Sequence, residues 1–205
     1  MKKYFFLMGL VSVAAPQVHA ADALIQIQDQ WSVCQYQVEK DAKEGCLETL
    51  SKEASQQSLQ NKSRVDLLIW SAIVKSSWAG AKGGLDALSL VKEAKGELEQ
   101  ALARDPKSLN GSAYTSLGTL YYQVPGWPIG FGDNKQAEQL LKQALAINPD
   151  GIDPNFFYGD FLLEQGRKKE AKTYLTKALN APERIGRELA DKGRKQEIQD
   201  RLSEL

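Results

Sequence analysis

Apolar residues along this chain recur at spacings of three and four with polar residues between them, the period of amphipathic helices. The pattern predicts helices over 22–41, 44–60, 62–79, 84–104, 110–123, 133–147, 153–166, 168–181 and 187–204. No segment sustains the alternation of a half-buried strand or carries a hairpin turn signal, so the expected fold class is all-α. Pro106, Pro149 and Pro182 fall just after three of these helices, where a residue that cannot continue a helix belongs. The last helix is irregular. On one straight cylinder Ile185 and Leu189 face nearly opposite to Ile198 and Leu202, so the helix either breaks near Gly193, the expected case, or is covered on two sides.

The helical text also repeats. Ala137, Leu141, Ala144 and Leu145 recur 34 positions later as Ala171, Leu175, Ala178 and Leu179, and a weaker copy lies upstream at Ala94, Leu98, Ala101 and Leu102. Ahead of these, Tyr114, Leu117, Gly118 and Tyr121 form an aromatic-x-x-L-G-x-x-Y run, echoed in part by Tyr158, Gly159 and Leu162. Period and signatures together resemble the tetratricopeptide repeat, here of an exported bacterial type. The pattern is departed from at Asn155, where the family prefers an aromatic, and over 62–79. Its physical basis does not depend on the name: Gly118 with Ala137, and Gly159 with Ala171, are small where two antiparallel helices would cross closely. Each pair leaves an apolar face that only a neighbouring pair can cover, so the pairs stack. The architecture implied is a tetratricopeptide-like α-solenoid of antiparallel helix pairs over 61–183. A helical hairpin at 21–60 is expected to close one end and a capping helix at 184–205 the other.

Residues 1–20 carry a different pattern. Lys2-Lys3, an apolar run from Tyr4 to Ala15, Pro16 and then Val18-His19-Ala20 make a secretory signal cleaved after Ala20, with an apolar run too short to span a bilayer. An exported protein is expected, periplasmic where the host has two membranes. Cys34 and Cys46 would meet an oxidising compartment there, and an even pair suggests a disulfide. Helices over 22–40 and 44–60, with Asp41 to Gly45 turning the chain, bring the two cysteines to similar heights on facing helices.

Removal of the signal also changes what chemistry is available. The whole chain balances 26 Lys+Arg against 26 Asp+Glu; without Lys2 and Lys3 it has 24 against 26, a net charge near −2. Without Met1, Met8 and His19 it contains no methionine and no histidine. Ser-His-Asp and Cys-His catalysis and histidine metal sites are thereby excluded, and the charge balance argues against a nucleic-acid binder. No paired motif stands at chemical spacing. Asp153 and Asp160, seven apart, lie about 10 Å from each other along a helix axis, just beyond the separations glycosidase carboxylates use. No enzymatic activity, cofactor or metal is expected.

The resemblance implies a concave surface lined by the first helix of each pair. Carried onto matching positions, it gives Ser112, Thr115, Thr119 and Tyr122 from one unit and Asp153, Phe156, Asp160 and Leu163 from the next. This mixture of hydroxyls, aromatics and carboxylates suits an extended peptide or a small polar-aromatic ligand better than an anionic one. Between Gly118 and Ala137 the chain spends 19 positions, more than the family allows, and the surplus is the VPGWPIGFGD stretch at 124–133. Trp127, Ile129 and Phe131 on this proline-stiffened loop read equally as a recognition element and as a compact loop folded onto its own repeat. Asp133 reads as the N-cap of the following helix.

Three other features have plainer readings. The glycines of AGAKGGLDAL, 79–88, lack any phosphate-loop phase and read as an interhelical turn, although an anion at the next helix start stays open. Arg184, Arg187, Lys192, Arg194 and Lys195 read as a solvated face, with Glu188–Lys192 and Asp191–Lys195 as local pairs. Trp70 and Trp78 read as core contacts, with a ligand-lining role open for Trp78. The expected function is a non-catalytic periplasmic scaffold that binds a protein or peptide partner through its concave face and the 124–133 loop. The alternative is the tetratricopeptide component of a TRAP-type solute transport system, holding a small hydrophobic ligand. Self-association stays open.

Overall fold

A computed structural model describes residues 20–205. The export signal expected over 1–20 therefore lies, up to residue 19, outside the described residues. Among the described residues every regular element is helical: α1 Ala20–Tyr36, α2 Lys40–Gln60, α3 Val65–Lys82, α4 Ala87–Arg104, a 3₁₀ turn at Ser108–Gly111, α5 Ser112–Gln123, α6 Asn134–Ile147, α7 Ile152–Glu164, α8 Lys168–Leu179 and α9 Glu188–Ser203.

Helices α3 with α4, α5 with α6, and α7 with α8 form the antiparallel pairs of a tetratricopeptide-like solenoid, and successive pairs stack. Small residues set the closeness of the pairs. A Cβ on Gly118 would stand 2.8 Å from Leu141 Cγ and 3.3 Å from the Ala137 carbonyl oxygen, and one on Gly159 would stand 2.8 Å from Leu175 Cγ. Ala137 and Ala171 are fully buried beside them. The α3–α4 pair is clamped by a buried lysine, Lys75, whose ammonium lies 2.7 Å from Glu97 and 3.1 Å from Glu93. Asn155, which departs from the repeat's aromatic preference, is also fully buried. Its amide donates to the carbonyls of Pro149 (2.7 Å) and Gly151 (2.8 Å), tying down the turn into α7.

Cys34 and Cys46 form a disulfide with Cα atoms 5.6 Å apart, stapling α1 to α2. The hairpin turns at 37–39 rather than at Asp41–Gly45, which lies inside α2, because the short turn after Tyr36 already reverses the chain.

The hairpin covers α3 at one end and α9 covers α8 at the other, as the sequence suggested, but the two ends are not apart. Helix α1 packs against both α3 and α9, so the first and last helices meet. Ala190 of α9 belongs to the same apolar cluster as Ile27, Trp31, Leu67 and Trp70. At Gly193 a Cβ would fall 2.4 Å from the Tyr36 ring, so a side chain there would collide with α1. The expected break near Gly193 is likewise absent: α9 is continuous and is covered on two sides, by α1 at Ala190 and Gly193 and by α8 and α7 at Ile198. Ile185 lies ahead of the helix and is fully solvent-exposed, so it never had to share the cylinder.

Candidate binding cavity

The first helix of each pair faces inward, and α9 and α1 continue that inner layer until it returns to α3. The five helices surround a cavity of 1320 Å³. One wall is largely apolar, with Trp31 of α1, Trp70 and Ile73 of α3, and Leu88 and Val91 of α4. Trp31 and Trp70 meet edge-on at 5.7 Å, and Trp31 meets Tyr36 in the same way at 5.7 Å. The Trp31 indole N–H donates to Ser77 Oγ at 2.8 Å, fixing its ring.

Another wall, from α7, α9 and the segment between α8 and α9, is charged. Arg184 donates to Asp153 at 2.6 Å and to Asp191 at 2.7 Å; Arg194 donates to Asp153 at 2.9 Å, pairs with Glu197, and lies over the rings of Phe156 and Phe157 at 4.5 and 4.6 Å. Burial would raise the Asp153 carboxyl, but Arg194 and Arg184 overcome it and hold the group below the usual carboxylate range. Arg201 Nε stands 2.6 Å from Asp160 Oδ1 as an ion pair off the line of a hydrogen bond, while the Tyr122 hydroxyl donates to Asp160 Oδ2 at 2.6 Å. Burial, reinforced by Asp160, pushes the Tyr122 phenol well up, so it stays a donor.

The residues assigned to the concave face divide accordingly. Ser112, Thr115 and Thr119 line the cavity, as do Asp153, Phe156, Asp160 and Ile129. Thr115, Phe156 and Asp160 are themselves buried, and the two carboxylates are engaged by arginines rather than presented to solvent. Tyr122 and Leu163 lie off the cavity wall and pack into the core shared by α6, α7 and α8. In the 124–133 loop Phe131 is turned inward, edge-on to Tyr121 at 5.5 Å with Lys95 over both rings. Trp127 does not line the cavity and is 90% exposed; Ile129 is 53% exposed. The loop is held by backbone bonds from Gly132 to Pro125 (3.0 Å) and Asp133 to Tyr121 (2.8 Å). Asp133 caps α6 as expected, accepting from the Lys135 and Gln136 amides.

Two plainer readings also meet the structure. The glycine stretch ends α3, with Gly83 and Gly84 at positive φ in the turn. The basic cluster is a solvated face only at its lysines; its three arginines turn inward. Neither local pair forms: Asp191 faces Arg184, Lys195 reaches Glu183, and Arg184, Arg187 and Arg194 turn into the cavity. Cavity geometry prevails over helical spacing because the buried guanidiniums need buried carboxylates. Trp78 packs between clusters and does not line the cavity.

A family model described as tetratricopeptide repeat matches residues 129–183, which run from the loop through α6, α7 and α8. No curated protein matches the chain. Tetratricopeptide repeats typically mediate protein–protein interaction and are generally non-catalytic scaffolds. Among the described residues no group of carboxylates and cysteines is placed to hold a metal ion, and no helix is long and apolar enough to cross a membrane.

Proposed function

We propose that this chain is an exported, non-catalytic binding module, periplasmic in a cell with two membranes, that holds a protein or peptide partner at its concave cavity and at the tip of the 124–133 loop. The observation that carries the reading is Trp127, 90% exposed on a loop whose backbone is tied down. A large aromatic held out in water by a fixed loop loses little entropy on docking and is the side chain most often found at the energetic centre of an interface. Capture from an envelope extract tests it. Wild type is expected to recover partners that Trp127→Ala recovers at least ~10-fold less well, the loss of an interface hot spot. Equal recovery by both would remove the loop from the binding surface. Export is checked by the intact mass of the envelope form, which is expected to begin at Ala21.

The meeting of α1 and α9 favours a second reading, the tetratricopeptide component of a TRAP-type transport system with a small hydrophobic ligand. Their contact turns an open groove into a walled cavity, and Trp31, Trp70, Ile73 and Val91 give it the apolar lining of a ligand pocket. Native mass spectrometry of freshly purified protein is expected to show a retained small mass; bare protein in repeated preparations would count against this reading.

A further inference from the structure

Arg187 differs from every other arginine of the cavity. Arg184, Arg194 and Arg201 each engage carboxylates, whereas Arg187 has no ion-pair partner among the described residues, and its buried Nε lacks an acceptor. Its guanidinium carbon lies 4.8 Å from the Trp70 ring centroid, over the ring. Stacking on an indole covers the face of a guanidinium and leaves its edge of N–H donors free. Burial, together with the neighbouring Arg184, pushes the Arg187 pKa down against the opposing pull of Asp153, Asp191 and Asp29.

We propose that Arg187 anchors the carboxylate of an amphiphilic ligand whose apolar body lies along Trp70 and Trp31 in the central cavity. The inference rests on the cavity being the ligand site. The buried carboxylates of this wall, Asp153, Asp160 and Asp191, are already paired with arginines, which disfavours a cationic ligand beside them. Asp153 and Asp191 lie within electrostatic reach of Arg187 and disfavour a dianion such as phosphate, while a planar monoanion matches the fork of one guanidinium. The remaining wall, Trp31, Trp70, Ile73 and Val91, offers the apolar body a dry surface.

Two sources carry this chemistry, a free organic acid and the terminal carboxylate of a peptide, and calorimetric titration of the full chain with matched probes separates them. The probes are 4-phenylbutyrate against 4-phenylbutanamide, and the tetrapeptide Ala-Ala-Leu-Phe as free acid against its C-terminal amide. In wild type the acid of at least one pair is expected to bind about tenfold tighter than its amide, the scale of one charge-assisted bidentate contact. Arg187→Gln is expected to bind acid and amide alike. Preference confined to the butyrate pair assigns a small acid; preference confined to the peptides assigns a chain end. Equal binding of acid and amide by wild type overturns the anchor and leaves the cavity as a ligand site. A preference that survives Arg187→Gln also overturns the anchor. Should all four probes fail to bind, the anchor falls, and the cavity reading falls with it if native mass spectra also show bare protein. If Arg187→Gln does not fold, the wild-type ratio decides alone.

Discussion

Gly159 carries its helix against the Leu175 side chain and backbone, and an added methyl would stand 2.8 Å from Leu175 Cγ and 3.1 Å from its amide nitrogen. Neither atom is the free end of a flexible chain, so the α7–α8 pair must part to admit it. Gly159→Ala is expected to destabilise by about 1–3 kcal/mol despite the better helix propensity of alanine. A fall in Tm of roughly 2–4 °C per kcal/mol checks this in a thermal melt. A second residue-scale outcome concerns acid. Arg167 and then Lys142 hydrogen-bond Glu138 and depress its carboxyl to about 2. A depressed carboxyl stabilises fully above its unfolded pKa of ~4.3 and loses that contribution as pH falls toward the folded value. Glu138→Gln is therefore expected to melt lower than wild type at pH 5 and to converge with it near pH 2. Parallel curves across that window would separate Glu138 from the acid response.

At the scale of the element, the Cys34–Cys46 bridge holds α1 beside α2, and α1 supplies Trp31 and Tyr36 to the cavity. Replacing both cysteines with serine is expected to cost about 3 kcal/mol, the chain-entropy value for a loop near this length, read as a lower urea midpoint with a slope equal to or somewhat above that of wild type as the unfolded chain loosens. The bridge and the paired helices were legible in the sequence because glycine, alanine and cysteine act locally: each marks a close approach one helix away. The Asp153–Arg184–Arg194 network was not, since charges on a helix satisfy a three- or four-residue pattern whether or not they face water. Ala190 and Gly193 did carry the relevant signal. They are small residues three apart on α9, the same mark of close approach as Gly159 and Ala171, and their partner is α1 at the far end of the chain. A periodicity read along the chain cannot name a partner that distant.

For the whole molecule, the decisive contact is the one between α1 and α9, and two glycine-to-alanine changes of opposite sign test it. In mid-helix, alanine gains about 0.8–1 kcal/mol over glycine when nothing obstructs the methyl. Gly96, exposed on α4, has open space where a Cβ would stand, so Gly96→Ala is expected to raise Tm by roughly 2–4 °C. Gly193 has the same propensity to gain, but its methyl would press 2.4 Å from Tyr36 Cδ1 and Cγ, atoms near the root of a ring already wedged between Trp31 and α9. Overpacking of about 1–3 kcal/mol outweighs the gain. Gly193→Ala is therefore expected to lower Tm and to speed hydrogen exchange across α1, while exchange in α5 to α8 stays as in wild type. Were Gly193→Ala instead to stabilise as much as Gly96→Ala, with α1 protection intact, Tyr36 could not be resting on Gly193. The helices would then form an open stack, and the walled cavity on which ligand capture depends would have no closing side.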